Sequence, residues 1–515
     1  YKYKSLRASG TGFPDEKILI NINSAATTDG YSDEYGSRLA SFFARVNYKY
    51  MNRYLVTATF RADGSSKFGP NNRWGYFPSG ALAWIISEEK FMQPINNIVP
   101  YLKLRFSIGE SGSQNLGYYD WMTTLTAAPY TEQAGIKPSN LGNPSLQWEN
   151  STLTDIGIDF GLLRERLRGT LGYYSKKVEN LIYSGSVPVN SSFQTINQNI
   201  GSITNRGWEF EITGDVIKKK DLLLSIGFNV ATNKGIVNKL DGVQKEIIMP
   251  YYYEYVKLVE GGKLGDWYGY KTAGRQFATA EEIYALKTIN PTTGAQTSYR
   301  VSRELPGDPY VLDQNGDGKI DKTDRVVLGN FNPKFFGGFN LALTYKNLYA
   351  SAVFTYSYGA KRLWNYVYDA VNSGTSTYNA YNYLVKNGYV FTKDPMSRVP
   401  RMSLSYAGSI LTDAYIYDAS FIKLNTLNIN YRLPQKWFEK RFLSNVDITF
   451  QAANLFTITK YPGFDPQGNF GSPDMGSSYV GTRSAQELIG VGTGVDYSTY
   501  PSTRTFSLGL KLTFK

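Results

Sequence analysis

Apolar residues recur at every second position over many separate stretches of the chain. In Thr505–Phe514, the residues Phe506, Leu508, Leu510, Leu512 and Phe514 alternate with Thr505, Ser507, Gly509, Lys511 and Thr513. A strand turns such sets to opposite faces. One face suits lipid or a core; the other is small and polar and suits water. Ala40, Phe42, Ala44, Val46 and Tyr48 share a face, as do Tyr54, Val56, Ala58 and Phe60. The same holds for Phe339, Leu341, Leu343 and Tyr345, for Leu348, Ala350, Ala352, Phe354, Tyr356 and Tyr358, and for Val446, Ile448, Phe450 and Ala452. About 13 segments of about 10 residues follow this pattern, the length a tilted strand needs to cross a bilayer. They lie near 39–48, 53–62, 77–86, 100–109, 151–160, 166–176, 206–216, 222–232, 335–345, 348–358, 420–431, 445–456 and 504–514. Helical periodicity is weak; the best short helix is Ala280–Leu286, inside a predicted loop.

The connections alternate in length. Short ones fall near 49–52, 87–99, 161–165, 217–221, 346–347 and 432–444; long ones fall near 63–76, 110–150, 177–205, 233–334, 359–419 and 457–503. Short turns on one side and long loops on the other are the pattern of outer-membrane barrels. A soluble sandwich does not segregate its loops in this way. The expected fold is therefore all-β, a transmembrane antiparallel β-barrel with long extracellular loops. If the last strand ends in the periplasm, the long loops lie outside the cell and the number of crossings is odd, as 13 is. Gly265–Arg275 looks strand-like but would break this parity, so it is placed in the external loop 233–334. Ser5–Gly36 reads as a loop. Bacterial barrels have even strand numbers, so further strands are expected before Tyr1.

Composition narrows the function. The 515 residues include 55 Lys+Arg and 43 Asp+Glu, a formal charge of +12, and neither Cys nor His. That excludes a disulfide framework, a zinc finger, an HExxH protease and a Ser-His-Asp triad. It also removes the commonest general acid–base residue, so no catalytic residue is expected. Charged residues make up 19%, too few for a disordered or coiled-coil chain, while aromatic residues reach 15%, led by 42 Tyr. The mean hydropathy of −0.34 looks soluble, and no stretch approaches the roughly 18 apolar residues of a spanning helix. Barrels hide their apolar residues by alternation, so neither observation excludes a membrane protein. The first residue is Tyr1, with no Met and no signal peptide, so targeting evidence is missing rather than negative. The basic excess is dispersed. Lys218–Lys220 sits in one short turn, and Arg164, Arg166 and Arg168 flank another. No nucleic-acid-binding context accompanies them, and no nucleic acid is expected.

Three motifs carry candidate chemistry. Ser507, Gly509, Leu512 and Phe514 resemble the signal by which the outer-membrane assembly machinery reads a barrel's last strand; the trailing Lys515 is a departure. Asp313–Asp324 has calcium-loop spacing. Asp313, Asn315 and Asp317 take positions 1, 3 and 5, Gly318 gives the sharp turn, Lys319 offers its carbonyl, and Asp321 takes position 9. Asp324 stands at position 12, where its shorter reach resembles dockerin-type loops. Hard oxygen ligands suit Ca²⁺; the alternative is an Asx-rich turn without metal. Finally, aromatics crowd the loops: Tyr118, Tyr119 and Trp121; Tyr251, Tyr252, Tyr253 and Tyr255; Trp364, Tyr366 and Tyr368; Tyr378, Tyr381 and Tyr383. Such rings stack on sugars or form protein interfaces; the alternatives are an interfacial girdle and packing among the loops.

The block NRWGYFPSGALAWIISEEKF (Asn72–Phe91) resembles a signature of SusC-like TonB-dependent transporters of the Bacteroidetes outer membrane. RADGSSKFG (Arg61–Gly69) precedes it and YLKLRFSIGESG (Tyr101–Gly112) follows. Then come DQNGDGKIDKTDRVVLGNFNP (Asp313–Pro333), FIKLNTLNINYRLP (Phe421–Pro434), AANLFTITKYPGFDP (Ala452–Pro466) and the closing YPSTRTFSLGLKLTF. The resemblance covers nearly the whole chain from about Arg38 on. It implies a barrel of about 22 strands with a plugged lumen, leaving about 9 strands, the plug and its TonB box before Tyr1. It implies a SusD-like surface lipoprotein as partner, contact with outer-membrane lipid, coupling to the TonB–ExbB–ExbD system through the plug region, and import of oligosaccharides or oligopeptides. Loops 233–334 and 359–419 are expected to contact the lipoprotein, since their length is hard to explain as mere turns. A transporter makes and breaks no covalent bond. The rival expectation is a SusC-like barrel serving as a structural subunit of a larger outer-membrane complex.

Overall fold

The computed structural model describes residues 2–15, 17–18, 21–128, 130, 133–193, 195–240, 245–249, 256–289, 296–298, 304–367, 382–402, 410–437, 442–467, 494–496 and 501–514. Thirteen long strands pair in sequence order. They are β1 Leu39–Tyr50, β2 Tyr54–Ser65, β3 Trp74–Ile85, β4 Tyr101–Ser113, β5 Glu149–Leu162, β6 Leu167–Glu179 and β7 Ser202–Lys219. The path continues through β8 Leu222–Ala231, β9 Phe335–Tyr345, β10 Leu348–Tyr358, β11 Phe421–Arg432, β12 Leu443–Thr459 and β13 Thr505–Phe514. A fourteenth strand, Lys234–Lys239, lies off this path on the first residues of β7. Each crossing corresponds to one segment of alternating hydrophobicity, and each neighbouring pair is antiparallel.

The registers preserve the two-faced pattern. Leu224 pairs with Leu343 and Phe228 with Phe339; Leu343 pairs with Ala350 and Phe339 with Phe354. One apolar face thus runs unbroken across strands. It is uncovered: Phe42 is 68% exposed and Leu508 79%. β7 and β12 run to 18 and 17 residues, longer than a single crossing requires. Bulges reset the pairing between Leu424 and Thr426, next to Asn454 at φ 54° on the facing strand. The short turns carry left-handed residues: Met51 and Asn52, then Leu163, Arg164 and Glu165, then Lys346. That twist matches tight hairpins.

Gly265–Arg275 stays outside the barrel sheet, as parity required: it forms Asp266–Tyr270 and the start of Thr272–Gln276 in small loop sheets. Ser5–Gly36 is not a plain loop. Lys2–Thr11 and Thr27–Gly36 form an antiparallel ribbon, separate from the barrel sheet, from Lys2↔Gly36 to Thr11↔Thr27. Nearly all its residues face water on both sides, so no hydrophobic alternation marks it. Cross-strand contacts hold it instead: Tyr3 stacks on Tyr35 at 4.8 Å, and Lys2 and Lys4 both reach Glu34.

The long connections fold into a shared body at one end of the sheet. Glu246–Met249, Val256–Val259, Asp266–Tyr270 and Arg325–Asn330 make a four-stranded sheet. Lys361–Trp364 pairs with Ile416–Asp418 and with Val495–Asp496. The helix Ala280–Ala285 forms where the sequence places it, capped by Thr279, whose side chain accepts from the Glu282 N–H. One buried core containing Trp267, Phe331, Leu363, Trp364, Tyr415 and Val495 joins segments from loops 233–334 and 359–419 and from the connection before β13. Among the described residues, no helix is long and apolar enough to cross a membrane.

Candidate functional site: the polar wall and the loop body

The face opposite the apolar one is a polar wall in two parts. Across β4–β7 it is charged. Lys103 reaches Asp159 at 3.3 Å, Arg105 reaches Asp159 at 3.3 Å and also binds Asp155, and the Thr170 hydroxyl donates to Asp159 at 3.0 Å. Gly157 makes room for this network, because a Cβ there would lie 2.5 Å from the Arg105 guanidinium. Across β8–β13 the same face carries amides and hydroxyls. Ser351 pairs with Asn428, Asn428 with Gln451, and Gln451 with Ser507. The Asn430 amide donates to Thr449 at 2.8 Å and that of Asn425 to Thr355 at 3.1 Å. Such a wall presents many hydrogen-bonding groups.

The block Asn72–Phe91 acts as a structural clasp. Glu89 accepts from the Tyr54 hydroxyl at 2.6 Å and the Trp84 indole at 3.1 Å, and pairs with Arg53 at 2.5 Å. The Tyr54 hydrogen bond, then those of Trp84 and Arg53, hold its carboxyl below the usual carboxylate range against the opposing effect of burial. At the other end of β3, Phe77 packs edge-on against Trp148 at 5.6 Å, and Phe68 lies 4.9 Å from the same indole. Gly112 is required there: a Cβ would sit 2.1 Å from the Phe77 ring. The sequence resemblance marked Phe68, Phe77, Trp84, Glu89 and Gly112 without revealing their contacts, and it did not mark Arg53, Tyr54 or Trp148.

The loop body is fixed from below and within. Lys423, on the polar face of β11 and 7% exposed, reaches Ser502 at 3.1 Å, Gln467 at 3.4 Å and Asp465 at 3.5 Å, residues of the connection before β13. Asp308 is fully buried and pairs with Arg401 at 2.7 Å, yet burial pushes its carboxyl up. Tyr417 and Tyr461 are likewise pushed well up by burial. The aromatic clusters fare differently. Trp364, Tyr366 and Tyr383 pack together with Tyr417 and Tyr461, so they hold the loops to one another. Tyr118 stacks near Tyr35 at 4.8 Å and lies under the Lys67 ammonium, while Tyr119 is 41% exposed. Trp121 packs against the Phe68–Trp148 core. Tyr251, Tyr252, Tyr253, Tyr255, Tyr368, Tyr378 and Tyr381 lie outside the described residues.

The loop Asp313–Asp324 closes on its own backbone. Asp313 accepts from the Gly316 and Gly318 N–H groups at 2.7 and 2.8 Å, with both glycines at positive φ. Asn315 accepts from Asp317 N–H and Asp317 from Lys319 N–H, each at 2.9 Å. Asp321 caps Thr323, and buried Asp324 accepts from Gln314 and Asp321 N–H groups. Asp313, Asn315, Asp317 and Asp321 are exposed or half-buried along the turn. The oxygens of Asp324 face the backbone, and among the described residues no three acidic side chains form a metal-holding group. The assembly-signal residues divide between the two faces of β13. Ser507 pairs with Gln451 and Gly509 with Thr449, while Leu512 pairs with Val446 and Phe514 stacks on Phe442 at 5.7 Å.

A sheet apolar on one face and polar on the other, with short turns at one end and a folded loop body at the other, defines the wall of an outer-membrane barrel. Residues 3–275, more than half of the chain, match the family described as TonB dependent receptor-like, beta-barrel, and the chain belongs to that family. It is similar to TonB-dependent receptor P3 of Formosa agariphila, 32% identical over 512 residues, covering 97% of this chain and 48% of that receptor. It is also similar to TonB-dependent receptor SusC of Bacteroides thetaiotaomicron, 31% identical over 490 residues, covering 92% of this chain and 44% of that receptor. The solved RagAB peptide importer in its closed-closed state superposes with a TM-score of 0.73 at 25% identity, covering 99% of this chain and 52% of that one. The chain is thus an outer-membrane β-barrel wall of the SusC/RagA type. It spans about half the length of the curated relatives it matches.

Proposed function

We propose that this chain forms the wall and external loops of a TonB-dependent nutrient importer. It works with a SusD-like surface lipoprotein and takes up oligosaccharides or oligopeptides, driven by TonB–ExbB–ExbD acting on the plug of the complete receptor. The observation that carries the reading is the loop body. Three long connections share one core at one end of the sheet, and the opposite end has only short turns. A body of this size is costly to order unless it meets a partner or ligand. The polar wall beneath it gives a hydrated path, and its chemistry suits binding rather than bond-making. Deleting the gene should abolish growth on the glycan or peptide the importer serves. Unchanged growth on every such source, with the protein held in a larger assembly, would favour the scaffold reading instead.

Calcium at Asp313–Asp324 belongs to the same proposal. Asp313, Asn315, Asp317 and Asp321 would supply oxygens along with the Lys319 carbonyl, and Asp324 would turn from the backbone to close the set. An ion binding only the folded state stabilises it by about 2.7 kcal/mol at about 100 times its Kd. Thermal unfolding should therefore shift upward with Ca²⁺, and not with Mg²⁺, in the parent protein but not in Asp313→Ala. Equal curves with and without Ca²⁺ would leave the loop as a metal-free Asx turn.

A further inference from the structure

We propose that a lysine-lined cavity at the foot of the loop body binds an oxyanion, a carboxylate, sulfate or phosphate, displayed by the molecule that the barrel imports; this rests on the import reading above. The cavity measures about 510 Å³, within the range of small-ligand sites. Four lysines line it from four separate stretches: Lys234 just beyond β8, Lys263 in the loop body, Lys334 just before β9 and Lys361 just beyond β10. Lys361 is held by Asp418 at 3.0 Å. Among the described residues, Lys234, Lys263 and Lys334 have no ion pair, although charges of opposite sign are available elsewhere in the loops. The one acidic residue in the lining, Asp266, is engaged by the Asn330 amide at 2.7 Å.

The site is shaped around these side chains. Gly329 and Gly359, at φ +143° and +87°, underlie the stems of Lys361 and Lys334. A Cβ would come within 2.7 Å of Lys361 Cγ at Gly329 and within 2.8 Å of Lys334 Cγ at Gly359, so the bare backbone lets each stem lie flat. The walls are pinned by the Asn330 and Asn332 amides, both donating to the Leu264 carbonyl at 3.0 Å. Gathering like charges around one cavity is unfavourable until an anion enters. The sequence keeps them there with a fixed frame and only one carboxylate in the lining. Lys234, Lys263 and Lys334 are exposed at the cavity, and ammonium groups that meet no carboxylate among the described residues are the recognition chemistry for an oxyanion.

The test uses the complete receptor purified from outer membranes and two matched probe pairs, hexagalacturonate with maltohexaose and hexaglutamate with hexaglutamine. At least one charged probe should bind more tightly than its neutral twin, by on the order of tenfold or more, and its binding should weaken as salt is raised. The variant K234Q/K263Q/K334Q should lose that preference while keeping the thermal stability of the parent, since the three exposed side chains make no ion pair among the described residues. Equal binding within both pairs, or a preference unchanged in the variant, overturns the inference. So does a parent whose site is filled by lipopolysaccharide phosphate that neither charged probe displaces. A receptor that still imports its nutrient without any charge preference would fail this inference alone; one that imports nothing would fail the import reading.

Discussion

Glu89 gathers three donors from two sides of one hairpin and the turn that follows it. Arg53 ends the turn before β2, Tyr54 opens β2, Trp84 lies next to the end of β3, and the carboxylate lies just beyond. Such a clasp fixes the short-turn end of the wall, and it uses both Trp84 and Glu89 of the block Asn72–Phe91. The stability it gives depends on ionisation. Its pKa is depressed, chiefly by the Tyr54 hydroxyl, so the contribution is present above the unfolded pKa and is lost as pH falls through the folded value. Glu89→Gln should be less stable than the parent at neutral pH, and the difference should shrink as the pH is lowered past the carboxylate range. Unfolding curves of the two proteins across pH check this; a constant difference contradicts it. Gly112 and Gly157 act at the same scale from the opposite direction. Each gives space rather than a contact, one to the Phe77 ring and one to the Arg105 guanidinium.

At the scale of elements, the alternation of apolar and polar residues was enough to locate every crossing of the sheet. A strand apolar on one face and polar on the other leaves a period of two in the sequence, and Thr505–Phe514 shows it from end to end. Elements stabilised in other ways were not legible. The ribbon of Lys2–Thr11 and Thr27–Gly36 rests on cross-strand pairs between exposed residues, so it has no buried face to betray it. The lysine cavity assembles positions more than a hundred residues apart, and no local pattern anticipates it. The Lys423 tether is equally non-local. Removing it with Lys423→Ala strips the anchor from Asp465, Gln467 and Ser502 and should cost about 1–3 kcal/mol. Limited proteolysis should then cut the connection before β13 faster than in the parent, with the remaining wall intact. The last strand makes its own prediction. Phe514 stacks on Phe442 and fills the end of β13. Phe514→Ala should sharply lower the amount of receptor assembled in outer membranes, read by immunoblot of that fraction, whereas Lys511→Ala should not.

The whole molecule is organised by its two ends and two faces. The apolar face is uncovered in water and suited to lipid, and the polar face carries ion pairs on one half and amides on the other. β1 and β13 end the sheet, and among the described residues neither has a second barrel-strand neighbour. The loop body caps one end and is the surface on which a lid would sit. The proposed import function requires this body to dock a surface lipoprotein over the barrel. The most direct measurement is to purify the receptor from native outer membranes and identify the chains that come with it by mass spectrometry. The expected result is a SusD-like lipoprotein at equal stoichiometry, lost when the loop segments 233–334 and 359–419 are shortened while the barrel still assembles. An intact, folded receptor that carries no lipoprotein, with its loops unaltered, would contradict it.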